Sequence, residues 1–149
     1  MTSIKAIVGL LLAVVAAVGV VAFGAAQASA SSKPIVIPYA KTCDELLGHC
    51  LGSAGDGGTL EMQVTSFRGT GKGGQLTLTE WITVGDISFT AEMVGTVSPA
   101  GFIVLNGTVT EGSFAGAQVH QRSNFTGLVG GDPRYDTWTG QLQLMPPSA

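Results

Sequence analysis

Glu80, Gln118, His120 and Arg122 are the residues of this chain whose types and spacing could do chemistry together. Glu80 falls on the apolar side of a strand pattern, where a carboxylate is costly to bury unless it is paired or hydrogen-bonded. Such a group can bind a ligand, act as an acid or base with a raised pKa, or pair with Arg122. The plainer reading puts Glu80 near a barrel mouth, in reach of water. His120 and Arg122 are two residues apart, so on a strand they share one face, and Gln118 extends the stripe. The candidate acid and base are Glu80 and His120. The candidate ligand cluster is Glu80, Gln118, His120 and Arg122, against the alternative that the last three form a polar stripe on an outer wall.

Cys43 and Cys50 are the only cysteines. In an exported chain they read as a disulfide. On an unbroken helix, residues seven apart lie ~10 Å apart along the axis, whereas a disulfide needs Cα atoms within about 7 Å. Gly48 offers a stop between them, and Thr42 and Glu45 have capping-box spacing. The expectation is therefore a helical turn over Thr42–Leu47, folded back and stapled by Cys43–Cys50. Cys43, His49 and Cys50 supply only three plausible metal ligands with no second Cys/His pair, so no metal is expected. The Cys-x-x-Cys spacing of thiol redox catalysis is absent, as is the Gly-x-Ser-x-Gly nucleophile pattern. Paired carboxylates for glycoside hydrolysis stay open, because their separation in space is invisible in sequence. Arg68-Gly-Thr-Gly-Lys-Gly-Gly74 lacks the order of a phosphate-cradling loop and reads as a mobile hairpin connector. Asp132, Arg134, Tyr135 and Asp136 read as a solvated turn. Asn106-Gly-Thr108 and Asn124-Phe-Thr126 fit the N-glycosylation pattern, but the alanine-rich leader looks bacterial, so both read as ordinary strand residues. No cofactor is expected.

The elements that must position these residues are strands. A two-residue loop at Gly85-Asp86 pairs Val84 with Ile87, Ile82 with Phe89, Glu80 with Ala91 and Leu78 with Met93. These pairs share an apolar face, and Thr77, Thr79, Trp81, Thr83, Ser88, Thr90 and Glu92 share the other. Leu60, Met62 and Val64 alternate in the same way. A turn at Ser98–Gly101 pairs Val97 with Ile103 and Gly95 with Leu105, and the apolar face continues through Gly107 and Val109. Trp138, Gly140, Leu142 and Leu144 close the domain. Pro34–Pro38 reads as an edge strand or extended arm, and Gly52–Gly58 as a loop. After Glu111-Gly112 the register forks. A two-residue loop turns Phe114, Gly116, Gln118, His120 and Arg122 inward, while a loop longer by one turns Ala115, Ala117, Val119 and Gln121 inward. Phe125–Val129 either extends that strand or forms another. Six to eight strands in successive hairpins predict an all-β, antiparallel up-and-down barrel. A β-sandwich is the alternative.

The 149 residues suit one domain. Lys5, the uncharged run from Ala6 to Ala26 and Ala28-Ser29-Ala30 form a secretory signal pattern with cleavage after Ala30. The rival reading is an uncleaved anchor, since a membrane span needs only ~20 apolar residues. The expected organisation is a signal peptide over residues 1–30, an arm and stapled helical segment over residues 31–58, and a barrel over residues 59–149. The expected destination is the cell envelope or the extracellular space, with no membrane attachment after cleavage. From Ser31 onward there are ten acids against six Lys and Arg, which leaves no nucleic-acid footprint.

Gly107-Thr-Val-Thr-Glu-Gly-Ser-Phe-Ala-Gly-Ala117 resembles the glycine-rich hairpin of the allene oxide cyclase and dirigent barrel superfamily. The resemblance covers that hairpin only. It implies an eight-stranded antiparallel barrel around an apolar cavity, in a group that includes enzymes steering cyclisation or radical coupling of apolar substrates. No catalytic residue is carried over from it. Three functions therefore compete: an exported barrel binding a small apolar ligand, a cyclase- or isomerase-like enzyme, and a structural or surface-interaction protein with a filled core.

Overall fold

Alternating side chains and short turns close into a single sheet. The computed structural model describes residues 33–147. The signal-peptide reading of residues 1–30 lies outside the described residues. Eight antiparallel strands follow one another as β1 (Ile35–Asp44), β2 (His49–Ala54), β3 (Gly58–Thr70), β4 (Gly73–Val84), β5 (Ile87–Val97), β6 (Phe102–Gly112), β7 (Gln118–Leu128) and β8 (Tyr135–Met145). Each pairs with the next, and β8 pairs back onto β1, giving a closed up-and-down barrel rather than a sandwich.

The central hairpin has the expected register. Val84 lies opposite Ile87, Ile82 opposite Phe89, Glu80 opposite Ala91 and Leu78 opposite Met93. Gly85 takes φ 56°, a left-handed value that glycine adopts without steric cost. Val97–Ile103 and Gly95–Leu105 also pair as expected. Leu78, Ile82, Phe89, Met93, Leu105, Leu142 and Leu144 are buried in one continuous interior.

Three expectations are corrected. Thr42–Leu47 is not helical: β1 runs through Asp44, Cys43 pairs directly with Cys50 across the β1–β2 hairpin, and their Cα atoms are 4.0 Å apart. A hairpin meets the disulfide's distance requirement without a helix. Asp44 supplies the turn in place of a helix cap. Its carbonyl accepts from the Gly48 amide at 2.8 Å, its Oδ1 accepts from the Leu46 amide at 3.0 Å, and Gly48 takes φ 61°. The barrel thus begins at Ile35 and not at residue 59, and Pro34–Pro38 is no detached arm. Pro38 fits inside β1 because β2 ends at Ala54, opposite Tyr39, so the missing proline N–H lies beyond the ladder. Finally, the glycine-rich connector after Arg68 is largely strand, with Arg68 opposite Gln75 and Gly69 opposite Gly74.

All hairpin turns fall at two ends. The 55–57, 85–86 and 113–117 turns lie at one end, which Ile37, Ala54, Leu60, Ile82, Phe89, Val109 and Ala117 fill. The 45–48, 71–72, 98–101 and 129–134 turns frame the other. On this assignment of faces, Ile82→Asp and Phe89→Asp should each cost more than about 4 kcal/mol, because each buries an unpaired charge. Thr83→Asp, on the solvent face, should cost less than about 1 kcal/mol. Urea unfolding measures all three, and equal effects would overturn the assignment.

Candidate functional site

Closure of β1 against β8 decides which polar groups meet inside. The inward residues of β1 are Ile37, Tyr39, Lys41 and Cys43, all buried. Strand register then lines up rows of interior neighbours around the barrel. Asp136, Cys43, Cys50, Met62, Glu80 and Ala91 follow one another along one such row. Ser123, Gly140, Tyr39 and Ala54 form another. A side chain at position 140 would collide with the Tyr39 hydroxyl. Glycine there lets the tyrosine lie across β8, where its hydroxyl hydrogen-bonds Ser123 Oγ on β7 and donates to the Arg122 carbonyl at 3.3 Å.

Glu80 is completely buried, not at a wet mouth. Its Oε1 accepts from Gln121 Nε2 at 3.0 Å across the lumen, and its Oε2 has no hydrogen-bond partner among the described residues. Lys41 is 3% exposed, and among the described residues its ammonium donates only to the Met62 sulfur, at 3.3 Å, with the Tyr39 ring face 5.4 Å away. A thioether is a weak acceptor, so the lysine is poorly satisfied. Burial holds the Lys41 ammonium below its ordinary range, opposed by the charges of Glu80 and Asp136. Burial likewise pushes the Glu80 carboxyl up, opposed by Lys41 and by the Gln121 hydrogen bond. Both groups are thus drawn toward their neutral forms.

A cavity of about 380 Å³ opens at the 45–48 end and runs inward to Lys41, Met62 and Asp136. Val64, Leu76, Val97, Ile103 and Trp138 are among its apolar walls. Asp136 is 7% exposed, and its Oδ1 has no hydrogen-bond partner among the described residues. Glu45 stands at the rim and is largely exposed, yet partial desolvation, reinforced by the neighbouring Asp136, pushes its carboxyl up to about 7. The rim turn is anchored from outside. Arg134 Nη2 donates to Asp44 Oδ2 at 2.7 Å, and its Nε reaches Asp44 Oδ1 at 3.1 Å, joining the first hairpin to the loop before β8.

The convergence expected of Glu80 with Gln118, His120 and Arg122 does not occur. Gly107 pairs with Val119 and Leu105 with Gln121, which gives β7 the parity of the longer loop. Ala117, Val119, Gln121 and Ser123 therefore face inward, while Gln118 and Arg122 are exposed and His120 half-buried on the outer wall. There His120 Nδ1 lies 2.7 Å from Asn106 Oδ1, and Arg122 Nε donates to His120 Nε2 at 3.1 Å. His120 is accordingly no acid–base partner for Glu80. Asp136, placed by sequence in a solvated turn, faces the cavity. Tyr39, Lys41, Gln121, Ser123 and Asp136 are the interior polar residues that sequence reasoning did not assemble. The alternation Ile37, Tyr39, Lys41, Cys43 was the available signal for the first of them. The disulfide occupies both cysteine thiols, which removes Cys43 and Cys50 as metal ligands. Compared with known proteins, the chain matches no family model, no curated protein sequence and no solved structure.

Tyr39 supplies a pH test of this interior. Burial pushes its phenol up to about 12, against the opposing hydrogen bond to Ser123. The folded value lies above the unfolded one, so the contribution of the neutral phenol is complete below pH 10 and is lost as pH rises toward 12. Stability should fall by up to about 3 kcal/mol over that window. Tyr39→Phe should remove this component at high pH, at the cost of a lower plateau near neutrality. Parallel pH profiles for the two proteins in denaturant unfolding would contradict the assignment.

Proposed function

We propose that this protein is an exported binding barrel that admits a small, largely apolar molecule through the end framed by the 45–48 and 98–101 turns. The ligand's polar end meets Lys41 and Asp136. The observation that carries the proposal is the cavity of about 380 Å³, apolar along its walls and ending on a buried, poorly satisfied lysine. Small-molecule sites commonly occupy roughly 300–1,000 Å³ and combine apolar walls with a few placed polar groups. A core serving stability alone gains nothing from a buried ammonium whose only acceptor is a thioether, since an apolar side chain of similar size is usually at least as stable there. Export is supported by the signal pattern ending at Ala30 and by the Cys43–Cys50 disulfide, which belongs in an oxidising compartment.

Displacement of an environment-sensitive apolar dye tests the reading on protein that begins at Ser31. Leu76 lines the cavity and is only partly buried, so Leu76→Trp should fill the passage without disturbing the closed end. Dye affinity should drop at least about tenfold, the equivalent of losing roughly 1.4 kcal/mol of contact. Val94→Trp on the outer wall, where Val94 is 58% exposed, should leave affinity unchanged. A wild-type protein that binds no apolar dye, or a Leu76→Trp variant that binds it as well as wild type, would contradict the proposal.

A further inference from the structure

Lys41 has a second chemical capacity beyond donating a hydrogen bond. Its side chain and that of Met62, whose sulfur it touches, both line the cavity. No carboxylate oxygen lies within ion-pair distance of its nitrogen among the described residues; the ion pairs found are His49–Glu61 and Arg134–Asp44, both on the outside. A primary amine at the inner end of an apolar passage, unclamped by a carboxylate, is set up to attack an electrophile that enters. We propose that the cavity captures apolar carbonyl compounds, aldehydes in particular, by reversible imine formation on Lys41 Nζ.

The inference rests on the binding role proposed above and assigns it a ligand class. The chemistry balances without an oxidant or reductant. The Lys41 nitrogen lone pair forms a bond to the carbonyl carbon, and the carbonyl π pair becomes an oxyanion that takes up a proton. The nitrogen releases one proton to give a neutral carbinolamine. The carbon–oxygen bond then breaks, the hydroxyl leaves as water with an added proton, and the nitrogen lone pair completes the C=N bond. The resulting iminium nitrogen gives up its remaining proton, replacing the one consumed. The sum is amine plus carbonyl giving imine plus water. Asp136, which lines the same cavity as Lys41, is the carboxyl placed to relay the transferred proton. Attack requires the free amine, and burial favours that form of Lys41.

The chain carries its own controls. Lys33 and Lys72 are exposed and share the same solution. Protein beginning at Ser31 would be incubated near neutral pH with octanal and sodium cyanoborohydride, and the alkylated lysines located by peptide mass mapping. Lys41 should be labelled at least about tenfold faster than Lys33 and Lys72, reflecting its larger free-amine fraction and the local concentration of aldehyde. Octanol, which fills the cavity and cannot form an imine, should suppress labelling at Lys41 and not at the exposed lysines. Leu76→Trp, which leaves Lys41 in place, should do the same. Lys41→Arg should abolish the cavity adduct and leave labelling of Lys33 and Lys72 unchanged. Labelling confined to Lys33, Lys72 and the chain's terminal amine, in a protein that still binds the apolar dye, would overturn imine capture and leave the binding role standing. Failure of dye binding as well would overturn both.

Discussion

The pairing of β1 with β8 is the constraint on which the rest depends. Ten consecutive residue pairs, from Ile35–Leu144 to Asp44–Tyr135, join the first strand to the last. Without that seam the chain would be an open meander with two unprotected edges, a form prone to association. With it, every inward side chain of β1 is committed to the lumen, whatever its polarity. Tyr39, Lys41 and Cys43 enter the interior because Ile35 and Ile37 fix the parity, and a slip of one residue would expel the isoleucines. The polar layer is thus a consequence of closure and not of local preference.

Closure also distributes cost along the barrel axis. The end near Ile82 and Phe89 is filled by side chains, as eight-stranded barrels generally are. The other end keeps a cavity above a layer in which Glu80, Gln121 and Asp136 each hold a buried oxygen without a hydrogen-bond partner among the described residues. Each such atom costs on the order of 1–3 kcal/mol. Three of them around one lumen, two beside a lysine bonded only to sulfur, make an interior poorly optimised for stability alone. The electrostatics reinforce the point: burial pulls Lys41 down and Glu80 up, so both are moved toward the protonation states used in acid–base or nucleophilic work.

Much of the barrel was legible in the sequence. The β4–β5 hairpin was readable because Gly85 fixes a two-residue loop and because Ile82, Phe89 and their neighbours alternate cleanly. Glu80 was visible as an anomaly on that apolar face. What escaped was decided by contacts distant in sequence. Thr42 and Glu45 have helix-capping spacing, but cap geometry has value only in a helix, and here the β1–β8 ladder claims Thr42 for a strand. Lys41 and Tyr39 therefore did not register as interior residues. The wall carrying Gln121 in place of His120 was set by the length of the 113–117 turn, where Phe114 takes φ 62°, an uncommon value for a non-glycine residue that sequence gave no means to foresee. Asp136 was hidden because its loop neighbours Asp132 and Arg134 are exposed, whereas Asp136 follows the inward parity of Trp138.

The central claim is that Lys41 sits in the lumen at the inner end of the cavity with no carboxylate among the described residues clamped to its amine. Nuclear magnetic resonance of protein carrying isotope-labelled lysine side chains follows each amine individually through a pH titration. Lys41 Nζ should titrate below the 10.5 of an ordinary lysine, and its resonance should shift when an apolar ligand is added. A Lys41 signal that titrates at or above 10.5 and ignores the ligand would contradict it.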